Sequence, residues 1–222
     1  MIETYANSRA LAAAAARGVA AELAEGLKTR PRAALVATGG RSPGPVYDLL
    51  KAAPIDWARV VVTLSDERCV PQDAEASNAR LVRERLLVEA AAKAHLIPLW
   101  PRPDPAALAA IAPFDAVMLG MGEDGHIASL IPGDPDLARN LDPAGEAWFA
   151  DVPEGLGPPP VARVTLTLKA LLNARAIFLL IAGGAKREVV DRALAGEDLP
   201  VRAVLGQNDV PVRVLWTPAN QR

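Results

Sequence analysis

Ala33-Ala34-Leu35-Val36-Ala37-Thr38-Gly39-Gly40-Arg41-Ser42-Pro43 reads as a short apolar run that ends in a glycine turn. A continuous aliphatic run, without polar alternation, marks a strand buried on both faces. Gly39-Gly40 turns the chain, and a helix follows from about Pro43 to Ala52. Val60-Val61-Val62-Thr63-Leu64 is a second run of the same kind. Strand, helix and strand in this order predict a right-handed βαβ unit, hence an α/β fold with a mainly parallel sheet.

The pattern extends in both directions. Upstream, Asn7 or Ser8 caps an Ala-rich helix that runs to about Lys28 and is broken by Arg30-Pro31. Downstream, Ser77 caps a helix through Val88, and Ala106 to Ile111 reads as another. His95-Leu96-Ile97-Pro98-Leu99 is a short strand whose proline marks an edge or a strand end. Ala116-Val117-Met118-Leu119 ends in Gly120, and Ile177 to Ile181 is followed by a helix from about Lys186 to Ala195. Val212 to Trp216 closes the sheet. Ala147 to Ala150 and Arg163 to Leu168 are strands of a small side layer. With no repeat and no low-complexity linker, residues 1–222 form a single domain.

Composition narrows the class. A chain of 222 residues, 51% hydrophobic and 23% charged, is a globular protein rather than a disordered one. A net charge of -2 lacks the basic excess of a nucleic-acid binder. One cysteine forms no internal disulfide, which points to a reducing, cytoplasmic setting. Two histidines and that cysteine are too few for a structural zinc site, so no metal is expected. No segment reaches the ~20 apolar residues of a membrane span. The apolar stretch Leu11 to Ala16 is interrupted by Arg17 and continues with Glu22 and Glu25 at helical spacing, so it reads as an amphipathic helix rather than a cleaved signal.

In open α/β sheets chemistry gathers at the carboxyl ends of the strands. Polar clusters fall there at Thr38 to Ser42, Ser65 to Arg68 and Gly120 to Ser129. Gly40-Arg41-Ser42-Pro43-Gly44 matches the G-x-S-x-G nucleophile elbow, but Pro43 lacks the N–H that the elbow uses as an oxyanion donor. The segment fits better as an anion-binding turn of exposed N–H groups. Gly120-x-Gly122-x-x-Gly125 matches a dinucleotide fingerprint, yet the Pro/Gly-rich stretch after it holds no βαβ unit. Asp124-Gly125-His126 places a carboxylate beside an imidazole, a group that ordinarily titrates at ~6.5 and suits general-base work. Asp66-Glu67-Arg68 is a site-facing charge cluster, His95 is structural, and Cys69 is a packing residue.

Taken in order, these clusters resemble the 6-phosphogluconolactonase family. Thr38-Gly39-Gly40-Arg41-Ser42-Pro43 is similar to its Gly-Gly-x-Ser/Thr-Pro loop. Asp66-Glu67-Arg68-x-Val70-Pro71 followed by Ser77-Asn78 resembles its Asp-Glu-Arg…Ser-Asn block. The stretch from Gly120-Met121-Gly122 through Asp124-Gly125-His126 and Ser129 to Gly133 is the most specific match. Arg163-Val164-Thr165-Leu166-Thr167 and Gly183-Gly184-Ala185-Lys186 complete the set. Departures are Pro158 where relatives often carry a basic residue, Arg41 where many have Ser, and Trp216-Thr217-Pro218-Ala219 without a following Asp.

The resemblance implies a three-layer αβα sandwich with a Rossmann-like sheet, like that of sugar-phosphate isomerases and deaminases. It implies cofactor-free hydrolysis of 6-phosphoglucono-1,5-lactone to 6-phosphogluconate in the oxidative pentose phosphate pathway. The expected partner is a phosphorylated sugar lactone, with no nucleic acid and no membrane, for a monomer or weak homodimer. His126 is then the base, oriented by Asp124 or by Asp66. Substrate binding is assigned to Gly39, Gly40, Arg41, Ser42, Glu67, Arg68 and Asn78 in the first half of the chain, and to Gly122, Gly125, Ser129, Arg163 and Lys186 in the second. Arg68, Arg163 and Lys186 are the cations for the phosphate. One alternative is a glucosamine-6-phosphate deaminase, disfavoured because Ser129-Leu130-Ile131-Pro132 lacks the ring-opening Glu of that branch. Another is a sugar-phosphate sensor, disfavoured because a first strand at about Ala33 leaves room for only one preceding helix.

Overall fold

The computed structural model describes residues 2–218. Ala219, named among the C-terminal departures, lies outside them. The strands in chain order are β1 (Ile2–Thr4), β2 (Ala33–Ala37), β3 (Val60–Leu64), β4 (Asp66–Arg68), β5 (His95–Leu96), β6 (Ala116–Gly120), β7 (Phe149–Val152), β8 (Arg163–Leu166), β9 (Ile177–Ala182) and β10 (Val212–Thr217). The α-helices are α1 (Ser8–Thr29), α2 (Gly44–Leu50), α3 (Asn78–Arg85), α4 (Pro105–Ala109), α5 (Leu137–Asn140), α6 (Leu168–Leu172), α7 (Gly184–Leu194) and α8 (Pro200–Leu205). Seven strands form a fully parallel sheet in the order β1-β10-β9-β6-β2-β3-β5. The rest form a small antiparallel sheet, β4-β8-β7.

Every residue of β2 and β3 is buried, so both faces of the sheet are covered, as parallel sheets require. On α1, Leu11, Ala15, Val19 and Leu23 recur at intervals of one helical turn and are almost wholly buried. The Asn7 side chain caps this helix by accepting the Ala10 N–H at 2.9 Å. At its other end Arg30 pairs with the fully buried Asp115, whose Oδ2 also accepts the Ala34 N–H at 2.7 Å. The helix is thereby tied to the starts of β2 and β6.

Strand order determines where a cleft opens. The chain leaves β2 for β3 on one side, and β6 later returns to pair with β2 on the other. Connections leaving the carboxyl ends of β2 and β6 therefore diverge, the switch point at which α/β sheets bind ligands. Gly39-Gly40 follows β2, and the loop to His126 follows β6.

Several expectations are corrected. β1 precedes α1 and occupies the sheet edge, so β10 does not close the sheet and Ala33 does not begin the first strand. Its three residues carry too little apolar pattern, and backbone pairing with β10 defines it. The strand at His95 stops at Leu96. The helix from Ser77 ends at Arg85. Asp66–Arg68 is itself a strand, and α5, α6 and α8 lie where no helix is expected. His95 is exposed on the edge strand β5 and stays outside the cleft. Cys69 is half-buried against the core, and burial pushes its thiol pKa up, in keeping with packing.

Candidate active site

The turn after β2 is pinned from beneath. Tyr47, fully buried on α2, accepts the Thr38 N–H at 2.9 Å and donates its hydroxyl to the Thr38 carbonyl at 2.7 Å. Gly40 has φ 91°, the left-handed region in which a side chain is strained. Gly39 lies against the Asn78 amide so closely that a Cβ would overlap it. Among the described residues, the N–H groups of Gly39 and Gly40 find no protein acceptor, and both residues line the cleft.

β4 sorts its side chains by strand alternation. Asp66 and Arg68 line the cleft, while Glu67 does not. Asp66 accepts from Ser129 Oγ at 2.7 Å and from Ser65 Oγ at 3.0 Å. Arg68 stands directly opposite Arg163 in the antiparallel register. Like charges in that position repel, a cost that an anion between them would relieve. Burial first, and then Arg68, push the Arg163 pKa below the usual guanidinium range. Arg163 Nη2 donates to the carbonyls of Pro158 at 3.0 Å and Pro159 at 3.1 Å, and its Nε is buried without a partner. Arg68 Nη1 donates to the Ala76 carbonyl at 3.1 Å and to Asn78 Oδ1. Its Nε is also buried and unpartnered.

The loop after β6 closes on itself. Gly122 N–H donates to the His126 carbonyl at 2.9 Å, and Gly125 N–H to the Gly122 carbonyl at 3.2 Å. This tight loop, followed by no helix, rules out a dinucleotide turn at Gly120 to Gly125. Asp124 Oδ1 sits 2.6 Å from His126 Nδ1. Gly122 packs so tightly on both that any Cβ there would strike Asp124 and the imidazole.

These loops enclose a cleft of about 350 Å³. Of the residues singled out from sequence, Gly39, Gly40, Arg41, Ser42, Asp66, Arg68 and Asn78 line it. From the second half of the chain, Gly122, His126, Arg163 and Lys186 do so as well. Asp124 touches the cleft only through His126, and no hydrogen bond joins Asp66 to His126 among the described residues. Glu67, Gly125 and Ser129 are buried behind the wall. Ser129 reaches the site only through Asp66 and Arg163, and Gly125 packs against Leu199. Thr38, Gly120, Met121, Ala128 and Pro158 also line the cleft, although the sequence assigns none of them a binding role. Ala128 could not be read from its type, because its role lies in a left-handed backbone, φ 50°. Pro158 shares the wall with Arg41. Lys186 is half-buried, and burial lowers its pKa, aided by Arg41 and opposed by Glu123 and Asp124. Among the described residues, no three His, Cys, Asp or Glu side chains converge as metal ligands. No described helix is long and apolar enough to cross a membrane.

Residues 6–216 match the family described as glucosamine-6-phosphate isomerases/6-phosphogluconolactonase. A 6-phosphogluconolactonase of Caulobacter vibrioides is 39% identical over 97% of this chain and 96% of its own. One from Mesorhizobium japonicum is 42% identical over 94% of this chain and 91% of its own. The crystal structure of a 6-phosphogluconolactonase from Shewanella baltica superposes with a TM-score of 0.88 at 36% identity, covering 98% of this chain and 97% of that one.

Proposed function

The chain belongs to the glucosamine-6-phosphate isomerase/6-phosphogluconolactonase family, and we propose that it hydrolyses 6-phospho-D-glucono-1,5-lactone with His126 as the general base. The product is 6-phospho-D-gluconate, as in the oxidative pentose phosphate pathway. The observation that carries the mechanism is the 2.6 Å contact between Asp124 and His126 at the edge of a cleft that also holds Arg68, Arg163 and Lys186.

A neutral imidazole that donates its Nδ1 proton to Asp124 keeps its lone pair on Nε2. Nε2 takes a proton from water as the water oxygen bonds to the lactone carbonyl carbon, a contribution of ~10²–10⁴-fold. The unpaired N–H groups of Gly39 and Gly40, with Arg41 near them, face the developing oxyanion. Collapse of the tetrahedral intermediate breaks the bond to the ring oxygen, and the imidazolium returns its proton to that oxygen. Arg68 and Lys186, which both line the cleft, hold the phosphate. Arg163 adds positive field, since its Nη2 is already occupied by two carbonyls. The half-buried free cysteine, Cys69, suits a reducing cytoplasm.

A coupled assay with freshly made 6-phosphogluconolactone tests this, recording acid release after subtraction of spontaneous hydrolysis. Enzyme-dependent release is expected. Binding of 6-phosphogluconate without any acceleration would assign the chain to the sensors instead.

A further inference from the structure

The sequence places Glu67 between two cleft residues, yet its side chain is 1% exposed and lies outside the cleft. A buried carboxylate must be compensated, and no cation forms an ion pair with this one among the described residues. Its partners are the donors around the start of α3. Oε1 accepts the Asn78 N–H at 2.7 Å and the Arg68 N–H at 2.8 Å. Oε2 accepts the Ala79 N–H at 2.7 Å and the Ser77 hydroxyl at 3.1 Å. These are charge-assisted bonds, and they fix the first turn of α3 to β4.

Asn78, held in this way, is the connection to the cleft. Its Nδ2 donates to the Asp66 carbonyl at 2.8 Å, and its Oδ1 accepts from Arg68 Nη1. The same amide abuts Gly39. We infer that Glu67 is a positioning residue for substrate recognition: by anchoring Asn78 to β4, it aims the Arg68 guanidinium at the phosphate of the substrate. The inference rests on the reading of Arg68 as a phosphate ligand. It assigns to Glu67 a role other than the direct substrate contact expected from sequence.

Glu67→Gln keeps the shape but puts an amide donor against backbone donors. The readout is selectivity, the ratio of kcat/KM for 6-phosphogluconolactone to that for glucono-1,5-lactone. Glu67→Gln should lower it roughly 10-fold, the equivalent of one charge-assisted hydrogen bond, mainly through KM. A merely structural role would reduce the rate on both lactones alike, and that result overturns the proposal. In an Arg68→Ala background, Glu67→Gln should cost no further selectivity, because the effect runs through Arg68. A multiplicative loss in the double variant also overturns it. If Glu67→Gln does not fold, Asn78→Ala tests the same connection, with the same loss expected and parental selectivity as the overturning result. Arg68→Ala alone separates the two readings. Parental selectivity there removes Arg68 from phosphate recognition, and this inference falls with it. Lost selectivity there, beside parental selectivity in Glu67→Gln, overturns the Glu67 role alone.

Discussion

Asp124 Oδ1 accepts both from the ring of His126, at 2.6 Å from Nδ1, and from its backbone N–H, at 3.2 Å. One oxygen therefore fixes the imidazole and the main chain that carries it. Asp124→Asn leaves an acceptor but removes the charge that favours the imidazolium. Its kcat should fall, by up to the ~10⁴-fold that an Asp-to-Asn change costs beside a catalytic histidine, with little change in KM. Steady-state kinetics check this, and an unchanged kcat would free His126 from any need of Asp124.

His126→Asn removes the proton acceptor and leaves the phosphate contacts in place. We expect a folded variant that 6-phosphogluconate still protects against thermal unfolding, with kcat lower by ~10²–10⁴-fold. In the parent, kcat/KM should fall on the acid side as one group is protonated, and the variant should lack that limb. Spontaneous hydrolysis rises with pH and is subtracted at each point. A corrected rate within a few-fold of the parent would make His126 structural.

The phosphate assignment predicts strong substrate discrimination. Arg68, Arg163 and Lys186 all line the cleft, Arg68 and Lys186 as phosphate ligands and Arg163 as added positive charge. With ~1.5–3 kcal/mol for each hydrogen bond to a charged group, kcat/KM for the phosphorylated lactone should exceed that for glucono-1,5-lactone at least 10-fold. Likewise 6-phosphogluconate should raise Tm where gluconate does not. Equal efficiency on both lactones is the result that defeats this.

Far from the cleft, Glu3 on β1 pairs with Arg213 on β10, its Oε1 2.6 Å from Nε and its Oε2 2.8 Å from Nη2. That fork, chiefly its hydrogen bond, holds the carboxyl at about 2 against an ordinary 4.5. Because the folded value is the lower one, Glu3 stabilises the protein fully above pH 4.5 and loses that contribution as the pH falls towards 2. The pair is partly exposed, so screening reduces its worth to about 1 kcal/mol. Denaturant unfolding of Glu3→Gln should show that deficit at neutral pH and a shrinking one in acid. A deficit independent of pH would mean that Glu3 acts through packing.

Local chemistry alone determined much of this protein. The uninterrupted runs at Ala33, Val60 and Ile177 read as strands buried on both faces, because they are too short for a buried helix and are bounded by turn residues. Glycine turns and a His beside an Asp at strand ends likewise mark where chemistry sits, because both depend on neighbours in sequence. What tertiary structure alone decided is which side of each element meets which partner. Asp66-Glu67-Arg68 looks like one acidic-basic cluster until β8 pairs with it. Strand alternation then turns Asp66 and Arg68 into the cleft and Glu67 onto the start of α3. β1 exists only because β10 offers it a free edge. Pairing Arg68 with Arg163 brings together cations far apart in the chain, and no pattern within either segment encodes their meeting. Register and strand order are properties of contacts between distant segments, which lie beyond what residue type and spacing express.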